Sequence, residues 1–119
     1  MNGLVYLIHK EDSDIYKIGV TRKSLKETKR VMELQTGNEK KLSIAKGFPT
    51  DIPFKIETVM HRLWKPKKYI KEDFKELEGE WFILTMEEVE QFIFECTKIE
   101  NNIYFLNENS TLSETKLDE

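Results

Sequence analysis

A tyrosine, a lysine and a glycine lie close together near the start of the chain, and their types suit work on a charged substrate. Tyr6 sits in Leu4-Val5-Tyr6-Leu7-Ile8; Lys17 and Gly19 sit in Ile15-Tyr16-Lys17-Ile18-Gly19. Both runs are rich in β-branched and aromatic residues and flank the polar Glu11-Asp12-Ser13-Asp14, which predicts a β-hairpin with a loop longer than two residues. Strand alternation puts Leu4, Tyr6 and Ile8 on one face and Val5, Leu7 and His9 on the other. In the second run it separates Tyr16 and Ile18 from Lys17 and Gly19. A Gly closing a strand marks close backbone approach or a bulge. Alone, the hairpin is equally an ordinary sheet with aromatics.

Two further places carry chemistry. Arg30 falls mid-helix one turn after Lys26, as a solvent-facing helix former or as a bidentate phosphate clamp. Glu57 and His61 sit four residues apart on the flank of an apolar helical stripe. Such a carboxylate can hold a divalent metal beside the imidazole, or the two form a surface pair.

The elements that position these residues follow from pattern. Ser24-Leu25-Lys26-Glu27 fits a capping box opening a helix to about Gln35, with Leu25, Val31, Met32 and Leu34 as its buried side and Gly37-Asn38 as its stop. Leu42 to Ala45 predicts a third strand ended by Gly47 and Pro49. Thr50 or Asp51 then caps a helix with Pro53 in its first turn and a core stripe of Ile52, Ile56, Val59, Met60 and Leu63. Lys67 to Glu78 is a charged connector; Glu80 to Leu84 reads as a strand. Thr85-Met86-Glu87-Glu88 is a second capping box, opening a helix to about Lys98 with Cys96 in or near the core. Residues 103–106 are expected as a small strand or a packed-down segment. From Asn107 the chain is polar, and a disordered tail is expected.

Composition bounds the function. A chain of 119 residues suits one domain, and 34% charged with 39% hydrophobic residues describes a globular protein without a membrane span. No signal-peptide pattern opens the chain, and the lone Cys96 rules out an internal disulfide, so a cytoplasmic, reducing setting is expected. The net charge of −3 is uneven: residues 99–119 carry five acids against Lys116, −4, leaving +1 for residues 1–98. The body holds basic clusters at Arg22, Lys23, Lys26, Lys29 and Arg30 and at Lys65, Lys67, Lys68 and Lys71. These are either a phosphate footprint or solvated faces.

Leu4-Val5-Tyr6 followed by Lys17-Ile18-Gly19 resembles the paired signature of the GIY-YIG nuclease superfamily, and more closely its phage- and bacteria-associated branch with Tyr-Lys-Ile-Gly in the second motif. The resemblance continues through Arg30, Leu34-Gln35-Thr36-Gly37-Asn38, Glu57 with His61, and Gly79-Glu80-Trp81-Phe82, covering residues 4 to about 84. It implies an α/β (α+β) domain over residues 1–106, with a small central antiparallel sheet of three main strands flanked by helices, followed by the tail, 107–119. It also implies magnesium- or manganese-dependent cleavage of a DNA phosphodiester, with RNA as the other possible substrate.

The resemblance assigns catalytic roles to Tyr6, Lys17, Arg30, Glu57 and His61, with Glu57 as the metal ligand. Substrate contacts fall to Tyr16, Gly19, Thr21, Lys26 and Asn38, and Glu80 supports the site by hydrogen bonding His61 or Arg30. Two departures stand out. Leu4 replaces the first Gly of the signature, and Lys17 stands where its second Tyr would be. Lys17 is therefore expected to hold the phosphate or to lower the Tyr6 pKa. The alternatives to a nuclease are a nucleic-acid-binding domain that keeps the fold without the chemistry, and a phage-type module that acts on a protein partner.

Overall fold

The computed structural model describes residues 2–36, 42–69 and 80–118, and side chains for all of these except 31–36 and 108–118. Strands β1 (Gly3–Lys10) and β2 (Ile15–Thr21) pair antiparallel in the register Tyr6↔Gly19 and Ile8↔Lys17. Their loop is closed by Ser13, whose Oγ donates to the Lys10 carbonyl (2.6 Å) and accepts from the Ile15 amide (3.1 Å). Asp12 takes the left-handed turn position, φ 60°. Helix α1 (Leu25–Thr36) starts where the Ser24 Oγ accepts from the Glu27 amide at 3.2 Å. Of its expected buried side, Leu25 is half-buried, while the side chains of Val31, Met32 and Leu34 lie outside the described residues.

Strand β3 (Leu42–Thr50) pairs with the other edge of β1, and β4 (Trp81–Ile83) with β2, giving a four-stranded antiparallel sheet ordered β3-β1-β2-β4. The fold is α+β. β3 does not end at Gly47 and Pro49, as the pattern suggested, but runs on to Thr50. Pro49 is tolerated because β3 is an edge strand, where a missing N–H costs no ladder bond. The register steps between Leu7 and Ile8, opposite Lys46 and Ile44 respectively, so Ala45 is the extra residue of a β-bulge. The bulge reverses the alternation. Leu42 packs with Ile8, Ile15, Trp81, Tyr6 and Tyr69 on one face, whereas Phe48 joins the main core on the other.

That main core joins Val5, Leu7, Tyr16, Ile18, Phe82 and Leu84 of the sheet side to three helices: α2 (Pro53–Leu63), α3 (Met86–Glu90) and α4 (Phe92–Asp118). Neither Thr50 nor Asp51 caps α2. Its N-cap is Ile52, with no side-chain bond; the Thr50 Oγ1 accepts from the Ile52 amide one step earlier, and Asp51 accepts from the Asn2 amide. Pro53 at the first position needs no partner for an absent N–H. The apolar stripe of α2 is narrower than its spacing suggested. Ile56 and Met60 are fully buried, but Val59 and Leu63 are exposed, because the sheet covers only one side of the helix.

Thr85 forms a complete capping box with Glu88. The expected single helix is broken at Gln91 into α3 and α4. Residues 103–106 are helical rather than a strand, and α4 continues to Asp118 through the segment for which composition suggests disorder. No Gly or Pro follows Gly79, so nothing in the chain stops an established helix from propagating. Cys96 is fully buried in α4, and burial pushes its thiol up to about 12. No helix among the described residues is long and apolar enough to cross a membrane.

Trp81 anchors the second face. It is 5% exposed, and its buried Nε1–H has no acceptor among the described residues. Trp81→Ala is expected to cost about 3–5 kcal/mol of stability, measured by urea unfolding.

Candidate functional site

The face opposite the main core carries Tyr6 on β1 with Lys17 and Gly19 on β2, since cross-strand partners share a face. Tyr6 leans across the strand onto Gly19. A Cβ added to Gly19 would lie 2.4 Å from the Tyr6 ring and 2.7 Å from its hydroxyl oxygen, so only glycine leaves that ring its place. Gly47 lies beside Tyr6 on the other neighbouring strand, and there the missing side chain makes room for Leu25, whose methyl would stand 2.8 Å from an added Cβ. The sequence pattern read Gly47 as a strand end. Its position inside a strand was the available sign of close approach.

Helix α2 contributes from the edge. Ile56 and Met60 face the core, while Glu57 and His61 sit on the flank, half-buried. The Tyr6 phenol is raised above its ordinary value of 10.0, first by burial and then by the negative charge of Glu57. Two residues 51 positions apart in sequence are thus in electrostatic contact. Lys17 does not lower Tyr6 as the substitution suggested. Its ammonium lies over the Trp81 ring, 5.8 Å from the centroid, in a cation–π contact.

His61 links Glu57 to β4. Its Nδ1–H donates to Glu80 Oε2 at 2.7 Å, its Nε2 is 4.0 Å from Glu57 Oε2, and its ring meets Phe82 edge-on at 5.4 Å. Lys68 donates to the other Glu80 oxygen at 3.5 Å. Of the two partners considered for Glu80, the structure supplies His61; the part of Lys68 was not read from the sequence, where it is one lysine in a charged run. The His61 hydrogen bond, helped by Lys68, holds the Glu80 carboxyl below its ordinary range.

The remaining expected residues are placed differently. Tyr16 is buried on the main-core face, stacked on His9 at 4.7 Å, and burial followed by Asp14 raises its phenol. It turns away from Tyr6, so it is not a substrate contact of this face. Thr21 ends β2, where its Oγ1 accepts from the Lys23 amide at 3.1 Å. Lys26 and Arg30 are exposed on α1, and among the described residues no hydrogen bond or ion pair joins Arg30 to Tyr6, Glu57 or His61. Asn38 lies outside the described residues.

The sequence profile of a family described as the T5orf172 domain matches residues 3–97. The chain belongs to the T5orf172 domain family. The match spans every strand and every residue gathered around Tyr6, Glu57 and Glu80. No curated protein and no solved structure matches this T5orf172 domain.

Two outcomes test that geometry without reference to activity. Gly19→Ala is expected to cost about 1–3 kcal/mol in the native background but under about 0.5 kcal/mol in a Tyr6→Ala background, by urea unfolding in a double-mutant cycle, because the clash is with the ring. Glu80, depressed in the fold, contributes stability that is complete above its ordinary value of 4.5 and is lost as pH falls through its lower folded value. Wild type should therefore exceed Glu80→Gln in melting temperature at neutral pH and lose that advantage on acidification below 4.5.

Proposed function

We propose that this T5orf172 domain is a GIY-YIG-type, metal-dependent endonuclease or nickase that hydrolyses phosphodiester bonds of DNA. The observation that supports it is the meeting of Tyr6, laid over Gly19, with the charge of Glu57 from another element. Residue types, chain order and geometry all support the reading there.

The donor set suits a hard cation. Glu57 is an accessible carboxylate with His61 4.0 Å away, and among the described residues no group of three His, Cys, Asp or Glu side chains gathers to form a closed cage. Magnesium and manganese accept that arrangement, since magnesium keeps several waters and takes one or two carboxylates plus substrate oxygens. Zinc, with three or four protein ligands, does not fit. Held by Glu57, the cation would stabilise charge on the phosphate oxygens and cancel the push of Glu57 on Tyr6.

The chain's own groups divide the remaining work. At neutral pH Tyr6 keeps its proton, because both burial and Glu57 favour the neutral phenol. Its oxygen lone pairs accept a hydrogen bond from the attacking water and aim it at phosphorus. The water oxygen bonds to phosphorus, the bond to the leaving sugar oxygen breaks, one water proton passes to solvent base, and the leaving oxygen takes a proton from solvent. Glu80 and Lys68 hold His61 beside Glu57. Arg30 reaches the phosphate from the exposed side of α1. Lys17 then acts through Trp81, steadying the sheet end of the site, rather than as the second tyrosine of the signature.

The test is incubation with plasmid and structured DNAs in magnesium or manganese. Wild type should nick or cut. Tyr6→Phe and Glu57→Ala should abolish metal-dependent cleavage, with DNA affinity of Glu57→Ala equal to or above wild type because a negative charge leaves. Arg30→Ala should lower the rate by roughly 10²-fold, and thermal stability of Glu57→Ala and Arg30→Ala should stay within about 0.5 kcal/mol. Wild-type cleavage by Glu57→Ala removes Glu57 as the metal ligand. A wild type that binds DNA and cuts nothing reverses the catalytic reading in favour of a binding domain.

A further inference from the structure

At the end of the Tyr6 face lies a cavity of about 370 Å³, bounded by Leu4, Arg22, Lys23, Ser24, Leu25 and Pro49. Among the described residues no carboxylate lines it. Leu4 and Tyr6 point to the same side of β1, two residues apart, so the cavity opens about 7 Å along the strand from Tyr6. That is the scale of one nucleotide step.

Arg22 is set in place rather than loose. Its guanidinium lies 5.4 Å from the centroid of the Phe54 ring, and Nη1 donates to the Asn2 carbonyl at 3.5 Å. Asn2 is itself tied through its amide to Asp51 at 2.9 Å. This gives the exposed Phe54, 53% accessible on α2, a role: it is the platform for Arg22. A guanidinium has five N–H donors, and among the described residues only Nη1 of Arg22 has a hydrogen-bond acceptor. Lys23 is exposed beside it, and Lys26, Lys29 and Arg30 continue the positive charge along α1.

We propose that this cavity holds a phosphate of the nucleic-acid strand next to the one presented to Tyr6, with Arg22 and Lys23 as its counter-charges. The assignment rests on the phosphodiester reading above and adds to it a direction: the strand leaves Tyr6 towards the start of β1 and then follows α1. The recognised group is the backbone phosphate, common to DNA and RNA. Arg22 supplies planar donors to it, Lys23 a mobile charge, and Leu4, Leu25 and Pro49 an apolar floor that keeps water from the other side.

The experiment uses the full chain carrying Glu57→Ala, so that binding is read without cleavage, and labelled single-stranded DNA, duplex DNA and RNA followed by anisotropy across a salt series. Arg22→Ala with Lys23→Ala should weaken binding about tenfold at low salt and make the salt slope shallower by about 1.5. The comparison is Arg62→Ala with Lys98→Ala, which removes the same charge from exposed positions of α2 and α4 outside both basic clusters; its slope should stay within about 0.5 of the parent. Equal losses in both pairs, or none in either, overturn the assignment. A second measurement needs no variant. Inorganic phosphate titrated into the wild type should shift the amide resonances of Ser24 and Leu25, and shifts spread evenly over the surface, or absent there, overturn it. If wild type cuts nothing yet the Arg22 and Lys23 effects hold, the catalytic reading fails and the phosphate site stands. Cleavage with an unchanged salt slope gives the reverse.

Discussion

Tyr6 has a glycine beside it on each neighbouring strand, and the arrangement of the site depends on that. Gly19 receives the ring of Tyr6; Gly47 receives Leu25 and so seats the first helix on the sheet. Both accommodations require β1 to be paired on its two sides in one register. A shift by one residue would turn Tyr6 into the main core and put Val5 or Leu7 in its place. The register is held by burial, since Leu4, Val5 and Leu7 are at most 2% exposed. The apolar residues of β1 thus fix where its one phenol stands.

The two faces of the sheet divide the tasks. One face packs against α2, α3 and α4 and supplies most of the buried apolar area. The other carries a small cluster around Ile8, Ile15 and Trp81, and beside it the groups with chemistry. Helix α2 connects them because consecutive helical residues point about 100° apart: Ile56 is in the core and Glu57 is at the edge. Its polar flank is then braced through His61 to Glu80 and Lys68. These bonds are exposed, and they contribute little to stability. Their effect is on the direction of the Glu57 flank, which is where a binding site needs rigidity.

Much of this was legible in the chain. The hairpin, the caps at Ser24 and Thr85, and the opposition of Tyr16 to Lys17 along β2 follow from local rules that each involve only a few neighbouring residues; that Tyr16 turns away from Tyr6 does not, and it was expected as a substrate contact. The Glu57 and His61 pair was visible by spacing, but the reach of the Glu57 charge to Tyr6 is a tertiary fact, and so is the lack of a bond from Arg30 to either among the described residues. β3 was misread because Gly and Pro usually end a strand, and an edge position removes that penalty only once the sheet order is known. The length of α4 was missed for a related reason: composition reports what a segment can bury, whereas a helix already formed upstream changes the cost of adding the next residue. Lys17 was expected to hold the phosphate or to lower the Tyr6 phenol, and its contact with the Trp81 ring, distant in sequence, was not readable from the chain.

The bulge at Ala45 gives β3 a property that its composition does not display. Leu42, Ile44, Lys46 and Phe48 are evenly spaced in the chain, yet the first two belong to one side of the sheet and the last two to the other. The strand behaves as a two-phase pattern whose halves are joined at a fixed count. In such a segment the number of residues carries information independently of their identity: many replacements at position 45 would be silent, while a single deletion or insertion would exchange inside for outside over half the strand. The constraint on this part of the chain is therefore one of length.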